Sequence, residues 1–189
     1  MNTTVVNLFG GPGVGKSTLA CGLFYFMKIK HLNAELVREY VKAWAWESRP
    51  IGEYDQFYIS GKQAKYESLL YNKVEFLITD CPIILSPIYE SFAGNDDPVT
   101  KVGSFKFMKQ AEAKGIKYKN YVLARDKNVP YDVKGRYNSI KTAGDIDKFM
   151  QEKLSEWEVP FTLVDCKYDD RINFILNDLE IKWQKNLKK

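Results

Sequence analysis

The chain has 189 residues, 45% of them apolar, with 28 Lys and Arg against 24 Asp and Glu and a formal net charge of +4. That length holds one α/β domain, residues 1–189, and is too short for two. No apolar run approaches the roughly 20 residues that span a membrane, and the N-terminus reads directly as a strand, so the expectation is a cytoplasmic protein with no membrane partner. The charge excess lies in Lys182, Lys185, Lys188 and Lys189; without them the rest of the chain is neutral, which argues against a global basic field for nucleic acid.

In chain order, Thr4-Val5-Val6-Asn7-Leu8-Phe9 reads as a buried strand within 3–9. Gly10-Gly11-Pro12-Gly13-Val14-Gly15-Lys16-Ser17 follows and matches G-x-x-x-x-G-K-[ST], the phosphate-binding P-loop. A helix is predicted over 16–30, a strand over 33–38, a short helix over 40–47 and a long one over 54–72. Then come a strand over 74–79 and a turn at Gly94-Asn95-Asp96-Asp97-Pro98. A helix over 103–115, a strand over 119–124, a helix over 139–155, a strand over 160–165 and a helix over 169–186 complete the chain. Apolar runs alternating with amphipathic ones predict βα units around a parallel sheet. The ligand crevice of such a sheet lies at the carboxyl ends of the strands.

Those strand ends carry the chemistry. In the P-loop, backbone N–H groups of Gly11, Gly13, Val14, Gly15 and Thr18 are expected to surround the phosphates of ATP at the positive end of the helix. Lys16 is expected to reach the β- and γ-phosphates and the Ser17 hydroxyl to ligate Mg²⁺. Asp80 ends the apolar run Val74 to Thr79, the Walker-B pattern, and is the second metal candidate. Glu39 ends the second strand and is the first candidate for taking the proton of an attacking hydroxyl, with Asp80 as the alternative base. Arg38, Tyr40, Trp44, Gln56 and Gln63 surround this acid in sequence. Aromatic faces and carboxamides suit a flat, edge-reading acceptor such as a nucleobase. The stretch 125–137, with Arg125 and Arg136, is polar and basic and reads as a lid that closes over the triphosphate, Arg125 stacking on the adenine and Arg136 reaching the phosphates. Cys21, Cys81 and Cys166 are too dispersed for a disulfide framework or a metal-site spacing, and only Cys81 adjoins the site. The sole histidine, His31, reads as a surface residue.

With these residues in hand, the chain resembles the small P-loop nucleoside and nucleotide kinases. Arg38-Glu39-Tyr40 is similar to the Arg-Glu-Tyr or Glu-Glu-Tyr element of nicotinamide riboside kinase-like ATPases and related phage-encoded kinases. Glu39-Tyr40-Val41-Lys42-Ala43-Trp44 resembles the Glu-Pro-Val-x-x-Trp element of deoxynucleoside kinases, in which the glutamate is the general base. The resemblance implies an α/β, three-layer P-loop kinase fold: a five-stranded parallel sheet flanked by helices, with a basic lid. It implies Mg-ATP-dependent transfer of a phosphoryl group to a small-molecule nucleoside or nucleotide. The departure is Asp80-Cys81-Pro82, where such kinases follow the acid with an arginine; acceptance of a monophosphate then falls to Arg38 or Arg49. Related phage enzymes phosphorylate a hydroxymethyl group on a base within DNA, so DNA stays open as a partner. So do a homodimer and a P-loop ATPase switch without an acceptor. Against a switch, the chain has no Asn-Lys-x-Asp guanine-reading element.

Overall fold

The computed structural model describes residues 2–181 except 53, 96, 97, 128, 133, 135 and 136. Five strands form one sheet: β1 (Thr4–Phe9), β2 (Ala34–Val37), β3 (Phe76–Thr79), β4 (Lys117–Leu123) and β5 (Thr162–Val164). Their order is β2-β3-β1-β4-β5, and every pairing is parallel. Among the described residues, seven helices connect and flank them: α1 (Lys16–Ile29), α2 (Lys42–Trp46), α3 (Asp55–Ser68), α4 (Leu85–Phe92), α5 (Pro98–Glu112), α6 (Ile140–Glu156) and α7 (Arg171–Asp178). A single 3-10 turn, Tyr168–Asp170, leads into α7.

A parallel sheet covered on both faces needs apolar residues on both sides of each strand. β1 supplies them in alternation. Val6 and Leu8 pack with Leu19, Leu23 and Met27 of α1 and Ile175 of α7. On the other face Phe9 packs with Ile84, Leu85, Ile88, Met108, Ile146 and Met150 from the α4, α5 and α6 side. The polar exception on β1 is Asn7, buried and bonded from Nδ2 to Asn120 Oδ1 at 2.8 Å. The chain after β1 therefore crosses one face and the chain after the adjacent β3 crosses the other. Adjacent strands whose connections part in this way open a crevice between their carboxyl ends.

Four strands lie within the predicted segments and are shorter by up to a few residues; β4 begins at Lys117, two residues ahead of its predicted start. The helices differ more. α5 begins at Pro98, five residues ahead of the predicted start, with the proline at the first helical position, where its missing N–H and fixed φ are tolerated. α4 was not expected at all. Pro82, Pro87 and an apolar run hide it, yet Pro87 occupies its first turn, where no intrahelical N–H bond is needed. The final predicted helix ends at Asp178, and residues 182–189, including the lysine tail, lie outside the described residues.

Candidate active site

The P-loop leaves β1 at Phe9 and enters α1 at Lys16. Gly15 is the N-cap of α1 with φ +101°, and no side chain caps the helix there. A Cβ on Gly15 would stand 2.7 Å from Tyr168 Cε2, so both its backbone angle and its surroundings exclude a side chain. The first N–H groups of α1 stay open to an anion, and no acidic residue occupies the first turn. Lys16 donates from Nζ to the carbonyl oxygens of Gly10 at 2.6 Å and Gly11 at 3.2 Å. Desolvation of its ammonium lowers the Lys16 pKa, opposed by the nearby charges of Glu39 and Asp80. An uncapped helix end beside a desolvated lysine fits a polyphosphate.

Two arginines hold this loop from outside. Asp147, on α6, accepts the Gly11 N–H at 2.6 Å and Arg125 Nε at 2.7 Å. Arg125 Nη2 also donates to the Pro12 carbonyl at 2.9 Å. Arg171 is buried, and donates to the Val14 carbonyl at 2.8 Å and the Ala124 carbonyl at 2.6 Å. Arg125 was expected to face the nucleotide; its guanidinium is instead engaged with Asp147 and the loop backbone, outside the cavity lining. Arg136 lies outside the described residues. Tyr137, at the end of the 125–137 stretch, lines the cavity, and its hydroxyl donates to the Arg49 carbonyl at 2.6 Å.

At the neighbouring strand ends, the Glu39 N–H donates to Asp80 Oδ1 at 3.0 Å, tying the end of β2 to the end of β3. Asp80 is buried, and Glu39 lines a cavity of about 740 Å³. That cavity runs from Pro12, Gly13, Gly15, Lys16, Ser17 and Thr18 to Glu39, Lys42, Gln56, Tyr89, Glu90 and Asn95. Cys81 also lines it, but burial, with Glu39 and Asp80 adding to it, pushes its thiol pKa well up and keeps it protonated. Among the described residues no cluster of three His, Cys, Asp or Glu could hold a metal by itself. Mg²⁺ needs no such cage; it is held by one or two protein oxygens together with substrate phosphates, and Ser17, Asp80 and Glu39 offer oxygens of that kind.

Gln56 lines the cavity as expected, but Gln63 does not. Seven residues along a helix return to the same face about 10 Å further on. There Gln63 is buried beneath the sheet and donates from Nε2 to Thr79 Oγ1 at 2.9 Å and Glu67 Oε1 at 3.1 Å. Glu67 also accepts the Tyr71 hydroxyl at 3.1 Å, and burial pushes its pKa up to about 7. Tyr40 and Trp44 lie outside the cavity, packed among themselves. Trp44 is buried, stacked on Tyr58 at 6.1 Å between ring centroids, with the Arg49 guanidinium 3.4 Å from its own. Arg38 is exposed and does not line the cavity.

The sequence reading missed Asp147, Arg171, Tyr89, Glu90 and Asn95. Asp147 had a signal: it breaks the buried stripe Ala143, Ile146, Met150, Leu154 of α6 with a charge. Tyr89 and Glu90 were lost with α4, and Arg171 carries no local mark.

Comparison with known proteins fits this geometry. The family model described as an AAA domain matches residues 5–171. The chain belongs to the AAA-domain family. No curated protein matches this AAA domain by sequence. Among solved structures, deoxyadenosine kinase from M. mycoides with bound dATP is 19% identical, covers 93% of this chain and 99% of its own, and superposes with a TM-score of 0.57. NadR protein in complex with NR is 16% identical over 97% of this chain and 54% of its own, with a TM-score of 0.67. The APS kinase CysC of Mycobacterium tuberculosis, in complex with AMPPNP and APS, is 12% identical over 95% and 98%, with a TM-score of 0.54. The AAA domain described here thus has the fold of the small P-loop kinases.

Proposed function

We propose that the chain is a phosphotransferase that moves the γ-phosphate of ATP to a hydroxyl of a nucleoside, nucleotide or modified nucleobase. One observation carries this reading: a single cavity joins the P-loop to the carboxylate of Glu39 and continues past it to α3 and α4. A hydrolytic site needs room for a triphosphate and a water, whereas this space extends well beyond the phosphate end. That a deoxyadenosine kinase and an APS kinase share this fold supports the same class of reaction.

In this reading the α1 N-terminus and Lys16 hold the phosphates, Lys16 exchanging the carbonyls of Gly10 and Gly11 for phosphate oxygens. Ser17 and Asp80 are the protein groups that would hold Mg²⁺, which would supply charge neutralisation to the phosphates. Glu39 orients the acceptor hydroxyl and takes its proton as the oxygen bonds to the γ-phosphorus and the bond to ADP breaks. Asp80 fixes the backbone of Glu39 through its N–H. The 125–137 segment excludes water, a competing acceptor.

The test is to incubate the protein with Mg²⁺ and γ-labelled ATP against nucleosides, nucleotides and modified single- and double-stranded DNA. Label on an acceptor hydroxyl is the expected result. Label that moves only to water, whatever acceptor is offered, contradicts the reading.

A further inference from the structure

We propose that Arg125 and Arg171 are positioning residues for the nucleotide phosphates: each holds one carbonyl of the P-loop from outside the cavity and so turns the N–H of the following glycine, Gly13 or Gly15, towards the phosphates. This rests on the phosphate-binding half of the reading above and is independent of what the acceptor is.

The planarity of the peptide unit links the two ends. In a trans peptide the C=O and the N–H of the next residue point in opposite directions, so fixing one fixes the other. Arg125 Nη2 donates to the Pro12 carbonyl at 2.9 Å, and Arg171 Nη1 to the Val14 carbonyl at 2.8 Å. Pro12, Gly13 and Gly15 line the cavity, whereas neither arginine does. With those two carbonyls drawn outwards, the N–H groups of Gly13 and Gly15 face inwards, as an anion-binding nest requires.

The peptide between Gly10 and Gly11 is held the other way round. Its N–H, on Gly11, goes to Asp147 at 2.6 Å, and its carbonyl, on Gly10, accepts from Lys16 at 2.6 Å. Gly11, expected to offer its N–H to ATP, therefore spends it on a side chain outside the cavity lining. The loop thus has one peptide turned by a carboxylate and two turned by guanidinium groups, in opposite senses.

Both arginines are themselves fixed. Arg125 Nε pairs with Asp147 Oδ2 at 2.7 Å, on the same carboxylate that takes the Gly11 N–H. Arg171 is buried, its Nη2 donates to the Ala124 carbonyl at 2.6 Å, and its guanidinium lies 5.2 Å from the centroid of the Tyr168 ring. Bonds from a guanidinium are charge-assisted, and its planar fork spans two acceptors at set angles. A lysine ammonium is a point charge on a flexible stem and does not reproduce that fork.

The experiment uses the full-length chain and the variants Arg125→Lys and Arg171→Lys. Equilibrium binding of Mg-ATP, Mg-tripolyphosphate and adenosine is measured by calorimetry, and amide hydrogen exchange at Gly13 and Gly15 is read in the ligand-free protein. Each variant should weaken ATP and tripolyphosphate by the same factor, about tenfold or more, and leave adenosine within about twofold of wild type. Exchange should rise at Gly13 in Arg125→Lys and at Gly15 in Arg171→Lys. Arginines that touched the phosphates directly would leave ligand-free exchange unchanged, and that result overturns the proposal. A loss confined to ATP and adenosine puts Arg125 on the base instead and overturns it too. So do folded variants, whatever their melting temperature, that bind tripolyphosphate as wild type does. If Arg171→Lys does not fold, Arg125→Lys, at a side chain 21% exposed, decides between the same outcomes at Gly13. A wild-type chain that binds neither Mg-ATP nor tripolyphosphate overturns this proposal and the transfer reading together. Should the variants lose tripolyphosphate while wild-type label passes only to water, the transfer reading falls and the positioning stands.

Discussion

Glu67 offers a quantitative test of the buried network behind the site. Its carboxylate lies under the sheet, bonded by Gln63 and the Tyr71 hydroxyl, and Gln63 continues the chain to Thr79, which accepts the Cys81 N–H at 3.1 Å. Burial raises its pKa from 4.5 in the ordinary case to about 7. Below pH 4.5 the group is protonated in both folded and unfolded chains, and its contribution to stability is fully present. As the pH rises from 4.5 to 7 the unfolded chain releases its proton first. Above 7 the folded protein holds a buried charge that costs about 3 kcal/mol. Against a typical total of about 5–15 kcal/mol, that is a large fraction. Glu67→Gln keeps a hydrogen-bonding side chain of the same shape and removes the titration. Chemical denaturation from pH 4.5 to 8 should show the variant gaining on the wild type as pH rises, by up to about 3 kcal/mol at pH 8. Subtracting the two profiles removes the carboxylates that titrate in both. Parallel profiles, or a variant less stable than wild type at pH 8, would refute the reasoning.

Three further substitutions probe the phosphate loop and the acceptor base. Asp147→Ala strips Gly11 and Arg125 of their shared acceptor and leaves a partly buried guanidinium without its ion pair, so it should cost about 3 kcal/mol and lower the thermal midpoint by about 6 °C or more, read by calorimetry. Gly15→Ala places a Cβ 2.7 Å from Tyr168 at φ +101°; a backbone cost of about 1–2 kcal/mol and weaker ATP binding should follow, partly rescued by Tyr168→Ala. Glu39→Gln should retain ATP in equilibrium binding and lose transfer by about 10²-fold or more; near-normal turnover would remove Glu39 as the base.

What was legible in the sequence follows from how local each signal is. β1 and β3 are largely apolar runs and the P-loop is a contiguous motif, so one short window holds each. Glu39 and Asp80 were singled out because each stands at the end of a strand, and the structure ties those two strand ends together. α4 was hidden because it is only eight residues long and its proline reads as a breaker until its place in the first turn is known. Gln63 shows the opposite failure: the periodicity correctly gave its face, but the rise along the helix set which neighbour that face meets. Tyr40 and Trp44 were read as ligand surfaces, yet aromatic side chains also satisfy one another, and the Tyr40 and Tyr58 hydroxyls meet at 3.1 Å. The partners of Arg125 and Arg171 come from segments up to 157 positions away, beyond the reach of any local pattern.

The central claim is that the cavity joining the P-loop to Glu39 serves transfer to an acceptor. The most direct measurement is the ratio of acceptor phosphorylated to ADP formed, taken in one reaction with a saturating acceptor. The account predicts a ratio near one, together with faster ATP consumption when the acceptor is added. ADP formed at an acceptor-independent rate, with free phosphate as the only other product, would contradict it.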